Sequence, residues 1–166
     1  MRNYLRDIIV AMVDARIEFV IAGGVAVVLH GVERVTMDLD VSLKMELGNL
    51  GRFLSVMKEL NMTPRVPVPP EILLDAEQIA RIVREKDAVV FTFVDIDIPL
   101  KHVDVFLRDH LRYDLLASDA VTVDISGRSV RIASRRRLMA MKRQVQPARP
   151  KDVWDIAELE KLGAES

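Results

Sequence analysis

Residues 34–43 constrain the chain more than any other segment. Val35, Met37, Leu39, Val41 and Leu43 alternate with Arg34, Thr36, Asp38, Asp40 and Ser42. In an extended strand the first set faces one way and the second the other. The chain must therefore build a sheet with one face packed and one face of polar groups. Asp38 and Asp40 point the same way, about 7 Å apart along the strand. At that distance two carboxylates repel by about 2.4 kcal/mol at an effective dielectric of 20. A divalent cation between them removes this cost, and so does an ordinary solvated strand face; the pair alone leaves both readings open.

The surrounding pattern alternates helices and strands. Leu5, Ile8, Ile9, Met12 and Val13 form a helical stripe. Residues 17–21 read as a short buried strand running into Gly23-Gly24, with a helix over 25–30 directly after. Leu47, Leu50, Leu54 and Met57 mark a third helix, and Ile72, Ala76, Ile79 and Val83 a fourth. Between these two helices the prolines at 64, 67, 69 and 70 predict a loop or flap over 63–70. Residues 88–94 and 100–107 read as strands, with Asp95 and Asp97 as acids of the turn between them. Residues 120–125 and 129–132 form a hairpin around Ser126-Gly127-Arg128. Ser134 caps a helix to about 145, and Pro150 opens a last helix through 162 that Gly163 stops. The prediction is an α/β (α+β) fold over residues 1–166 as a single domain: one mixed sheet, helices packed mainly on one face, carboxylates on the other, and a C-terminal helical part over 134–163.

Composition excludes several classes. Cysteine is absent, which removes disulfides, thiolate metal sites and thiol catalysis and fits a cytoplasmic protein. The longest apolar run, residues 19–29, has eleven residues and two glycines, against about 20 needed to span a bilayer. No membrane association is expected. Net charge is −1 but uneven: residues 128–151 hold nine Lys or Arg and no acid, while 95–124 hold seven Asp. This suggests a cation-holding site beside a phosphate-holding one, or simply two solvated faces.

Three further features favour chemistry. Gly23-Gly24 lies where a strand hands over to a helix, so a phosphate can approach the backbone N–H groups there. Asp104, between Val103 and Val105, is another strand acid projecting away from buried neighbours. Lys142, Arg143, Arg149 and Lys151 can neutralise a polyphosphate. An oxygen-only donor set favours Mg²⁺ or Mn²⁺. His30 and His102 lack metal-ligand spacing and fall outside the expected set. Lys151 and Asp155 read as an i, i+4 surface pair, and Asp155 as structural.

Gly23-Gly24, thirteen residues, Asp38-x-Asp40 and the later Val103-Asp104-Val105 together resemble the motif set of the DNA polymerase β-like nucleotidyltransferase superfamily. GGVAVVLHG, RVTMDLDV, LMAMKRQ and RPKDVWDIAEL are similar to the AbiEii-type nucleotidyltransferases, which include toxins of toxin–antitoxin systems. The matching strings span residues 23–159. The resemblance implies a two-metal nucleotidyltransferase that moves a nucleoside monophosphate from an NTP to a hydroxyl acceptor and releases pyrophosphate. Asp38, Asp40 and Asp104 would hold Mg²⁺ or Mn²⁺, Asp104 also helping to deprotonate the acceptor. Gly23 and Gly24 would hold the triphosphate through backbone N–H groups, and Lys142 and Lys151 would contact phosphates. Arg34 and Thr36 share the face of Asp38 and join the nucleotide-binding set. Asp152 would orient Lys151 or the acceptor. Many superfamily members carry Ser where this chain has Gly24, so that hydroxyl contact is missing. Expected partners are an NTP, an RNA or tRNA, protein or small-molecule acceptor, and a cognate toxin–antitoxin partner. The alternatives are a non-catalytic nucleotide-binding or regulatory member of the same fold, and a plain nucleic-acid-binding protein.

Overall fold

A computed structural model describes residues 3–164. The chain opens with α1 (Tyr4–Asp14), capped by the Asn3 side chain, which accepts from the Arg6 N–H. β1 (Phe19–Ala22) is buried throughout and runs directly into α2 (Gly23–Leu29). Then follow β2 (Asp38–Leu43), α3 (Leu47–Glu59), β3 (Met62–Pro64), a 3₁₀ turn (Pro70–Leu74) and α4 (Ala76–Lys86). β4 (Val90–Asp95), β5 (His102–Phe106), the short α5 (Tyr113–Ala117), the hairpin of β6 (Val121–Ile125) and β7 (Arg128–Ile132), α6 (Arg135–Arg143) and α7 (Pro150–Ala164) complete it.

The strands form one seven-stranded mixed sheet in the order β3-β4-β5-β2-β1-β7-β6. β2–β5 and β1–β7 are parallel and the remaining pairs antiparallel. One face carries Leu39, Val41, Phe91, Phe93, Val103 and Val105, all buried. α3 covers it, with Phe53 meeting Phe93 edge-on at 5.4 Å between ring centroids. The opposite face carries the register rows Val94–His102–Asp38 and Thr92–Asp104–Asp40–Ala22. This is the expected class of fold. Among the described residues no helix is long and apolar enough to cross a membrane.

The structure corrects several element boundaries. The alternation over 34–43 becomes a strand only from Asp38, and Val35 and Met37 are 84% and 43% exposed rather than packed. β1 and β5 pair with residues 38–43 and with nothing upstream. The preceding loop is held instead by Arg34 on Asp155 and by the Tyr4 hydroxyl donating to the Met37 carbonyl. The expected loop over 63–70 loses Thr63 and Pro64 to the edge strand β3, the place where a sheet tolerates proline. Ile72 sits in the 3₁₀ turn rather than in α4, because Asp75 caps α4 by accepting from the N–H groups of Glu77 and Gln78. Gly23 and Gly24 open α2 rather than precede it, and α7 continues past Gly163 to Ala164. α5 has no counterpart in the sequence reading; its five residues are too few to show a period, and Tyr113 and Leu116 bury it against the sheet. The Ser134 cap forms as expected, accepting from the Arg137 N–H.

Phe53 is fully buried between α3 and the sheet, so Phe53→Ala should cost about 3–5 kcal/mol. A urea melt should show this as a lower midpoint at unchanged slope.

Candidate active site

The parallel pairing of β2 with β5 sets Asp38 opposite His102 and Asp40 opposite Asp104. Residues directly opposite share a face, so four polar side chains form a square above the middle of the sheet. His102 Nε2 lies 3.2 Å from Asp38 Oδ1 and 3.9 Å from Asp104 Oδ2. Thr92, next in the row, donates its hydroxyl to Asp104 Oδ1 at 2.6 Å, which leaves Oδ2 for the cluster. Donor atoms of Asp38, His102 and Asp104 all lie within 4.8 Å of one another, close enough for one cation. Burial, with the charges of Asp104 and Asp38, pushes the Asp40 carboxyl up to about 6. A hard divalent ion relieves such a load of negative charge, so the donor set fits one.

Gly23 has φ +59°, and a Cβ there would sit 1.9 Å from Asp40 Oδ2. The Asp40 carboxylate rests in the space that only glycine leaves. At Gly24 a Cβ would meet Thr36 Oγ1 at 2.7 Å and the Arg34 guanidinium carbon at 3.2 Å. The place of a side chain on residue 24 is thus taken by a hydroxyl and a guanidinium from the loop before β2.

The cations are held by α7. Asp155, fully buried, takes Arg34 at 2.5 Å and Lys142 at 2.7 Å on the same oxygen. Asp152, also buried, takes Lys142 at 3.1 Å and Arg149 at 2.5 Å. Burial opposes ionisation of Asp152, but hydrogen bonds from Arg149 and Lys142 hold its carboxyl below the ordinary carboxylate range.

Gly23, Gly24, Arg34, Thr36, Asp38, Asp40, Asp104, Lys142 and Lys151 all line one cavity of about 660 Å³. Its other wall includes Val89, Phe106, Arg108, His110 and Leu111. Some expected pairings do not form. Asp155 pairs with Arg34 and Lys142 rather than Lys151, and Asp152 with Lys142 and Arg149, while Lys151 stays exposed on the rim. His102 belongs to the cluster after all. Its i, i+2 spacing to Asp104 was the available signal, but only the β2–β5 register brings it to Asp38. Thr92 was likewise outside the expected set, whereas Arg149, one of the expected basic residues, does line the cavity. His30 lies elsewhere, its Nε2 2.8 Å from the Ala133 carbonyl. Asp95 behaves as a turn acid, accepting from the N–H groups of Asp97 and Ile98.

Residues 7–166 match the family described as "Nucleotidyl transferase AbiEii toxin, Type IV TA system". The chain belongs to the AbiEii family. No curated protein matches it. Solved structures are similar in fold to this AbiEii chain. The lincosamide antibiotic adenylyltransferase LnuA, lincomycin-bound, aligns at a TM-score of 0.65 and 12% identity over 98% of each chain. The antibiotic-resistance factor ANT(2'')-Ia aligns in its solution structure at 0.59 and 16%, over 99% of this chain and 88% of that one. Its crystal structure with adenylyl-2''-tobramycin aligns at 0.56 and 16%, over 98% and 94%.

The raised Asp40 carboxyl gives a pH-dependent prediction for metal-free protein. Its folded-state value lies above the ordinary one, so between about pH 4 and 6 the native state holds the extra proton. Stability is therefore lost as pH rises through that window, and the loss is complete above it. Asp40→Asn should be more stable than wild type by on the order of 2–3 kcal/mol at pH 7.5, and by little at pH 4. Melting both proteins in a chelator at the two pH values measures the difference; an equal gap at both would remove the electrostatic account.

Proposed function

We propose that this protein is a metal-dependent nucleotidyltransferase, moving a nucleoside monophosphate from an NTP to a hydroxyl acceptor with release of pyrophosphate. The reading extends to the whole chain as one nucleotidyltransferase domain acting in the cytoplasm. The observation that carries it is the convergence of Asp38, Asp40 and Asp104 in one cavity with Gly23, Gly24 and a set of cations. A purely structural role does not account for an Asp40 carboxylate held against its own charge and burial cost.

Asp38, Asp40 and Asp104 would hold Mg²⁺ or Mn²⁺, which when bound would supply electrostatic stabilisation of the attacking and leaving oxygens, two ions doing so in the two-metal reading. Gly23 and Gly24 let the triphosphate approach the backbone. Arg34, Thr36, Lys142 and Lys151 receive its phosphate oxygens, the guanidinium in a fork and the ammonium groups as point charges. The acceptor oxygen bonds to the α-phosphorus as the Pα–O–Pβ bond breaks, and its proton passes towards Asp104. Thr92 donates to Oδ1 of that carboxylate, so Oδ2 is the oxygen that faces the cluster. The acceptor classes are an RNA or tRNA end, a protein side chain or a small molecule; family membership adds a cognate toxin–antitoxin partner.

The test is label transfer. Each α-³²P-labelled NTP is incubated with Mg²⁺ or Mn²⁺, total RNA and a cell extract, using wild type and the Asp38→Ala/Asp40→Ala variant. Wild type should label one acceptor class. The variant should lose about three orders of magnitude or more, since the metal supplies several kcal/mol of transition-state stabilisation. Folded wild type that labels nothing while binding NTP would favour a nucleotide-binding regulator.

A further inference from the structure

We propose that His102 is a direct nitrogen ligand of the divalent ion held at the β2–β5 cluster, and that it turns the site's preference from Mg²⁺ towards Mn²⁺. The inference rests on the reading of that cluster as a metal site and specifies its donor set and ion.

Geometry carries the proposal. His102 is the direct register partner of Asp38 and lies two residues before Asp104 on the same strand, so its ring enters the square from the same face as the carboxylates. Ligands bound at about 2.1 Å sit about 3.0 Å apart when adjacent on an octahedron and about 4.2 Å apart when opposite. Nε2 lies 3.2 Å from Asp38 Oδ1 and 3.9 Å from Asp104 Oδ2, and the three donor atoms fall within 4.8 Å of each other. The 3.2 Å spacing lies near an edge and the 3.9 Å spacing near a diagonal of one such sphere.

The rest of the ring argues against a packing role. The side chain is only 15% exposed, and its Nδ1 is buried without a hydrogen-bond partner among the described residues. His30, which does serve packing, has its Nε2 on a backbone carbonyl. Among the described residues no such backbone acceptor anchors His102, whose polar contacts run through Nε2 to the two acids. Nε2, the nitrogen that faces both acids, is the one a cation between them would reach, and a neutral ring with its proton on Nδ1 presents a lone pair there.

The choice of ion follows from donor chemistry. Mg²⁺ takes oxygen ligands almost exclusively and keeps several waters, whereas imidazole suits first-row transition ions. Of these, Mn²⁺ best accepts a sphere otherwise made of carboxylate oxygens. A site of two carboxylate oxygens and one imidazole is therefore a manganese site more than a magnesium one.

The experiment is electron spin-echo spectroscopy of Mn²⁺ bound to the intact protein, with and without a non-hydrolysable NTP. It is paired with Mn²⁺ and Mg²⁺ titrations of wild type, His102→Gln and Asp38→Asn. Wild type should show modulation from a directly bound ¹⁴N that changes when histidine is labelled with ¹⁵N, a result that needs no variant to fold. His102→Gln should still bind Mn²⁺ without that modulation, and its preference for Mn²⁺ over Mg²⁺ should fall at least about tenfold. Mn²⁺ bound in wild type without nitrogen coupling would overturn the proposal and leave His102 as a hydrogen-bond donor to Asp38. An unchanged ion preference in His102→Gln would overturn the selectivity claim. No Mn²⁺ or Mg²⁺ binding by wild type, with or without nucleotide, would overturn the metal reading itself.

Discussion

The parallel pairing of β2 with β5 is the constraint on which the rest of the site depends. It sets Asp38 against His102 and Asp40 against Asp104, and the same register puts Leu39 against Val103 and Val41 against Val105 in the core. A slip of one residue would exchange the two faces, sending carboxylates under α3 and apolar side chains into the cavity. The hydrophobic face therefore fixes the position of the acids. Like charges about 5 Å apart repel by about 3 kcal/mol at an effective dielectric of 20, a cost the sheet tolerates because moving the acids apart would unpack the face beneath them. Asp40, lodged against the bare Cα of Gly23 and raised to about 6, is where that tension concentrates.

A second layer of charge surrounds the first with opposite sign. Arg34, Lys142 and Arg149 come from three separate segments, yet all are tied to Asp152 and Asp155 on one turn of α7. Removing either acid would leave buried or half-buried cations uncompensated, a larger loss than an exposed ion pair represents. The network also fixes cations that would otherwise sample many rotamers, so less ordering remains when an anion arrives. Arg34 links the layers, because its guanidinium reaches Asp155 at one end and stands over Gly24. The loop carrying it leads straight into Asp38.

The sequence and the structure agree where local pattern and tertiary contact express the same physics. The apolar alternation through β2, the glycine pair at a strand–helix junction and the lone acid within β5 were all legible, and the nine expected site residues line one cavity. Disagreement arises where the answer depends on which strand lies beside which. His102 looked isolated because nothing local reveals that β5 pairs with β2 some sixty positions upstream. The alternation at Val35 and Met37 continued past the last residue that had a pairing strand. On α7 the i, i+4 relation of Lys151 to Asp155 pointed to a surface pair. The buried face instead runs through Asp152 and Asp155 at i, i+3, towards partners that only tertiary structure supplies.

These two layers together restrict what the cavity can hold. A bare phosphate approaching Gly23 would meet Asp40 at the same backbone position and two more acids beyond it, so repulsion opposes it. A bare cation finds its ligands but leaves Arg34, Lys142 and Arg149 bound to α7 as before. A cation already bound to a polyphosphate would satisfy both layers at once, its metal neutralising the acid square while its phosphates reached the fixed cations. Each half of that ligand makes the site more favourable for the other, because the metal cancels the field that repels the phosphates. The same coupling explains why a fold would keep so costly a set of acids. In the proposed reading, their mutual repulsion would be relieved by a metal that accompanies the nucleotide, converting a destabilising feature of the metal-free protein into affinity for a metal–nucleotide complex over either component alone.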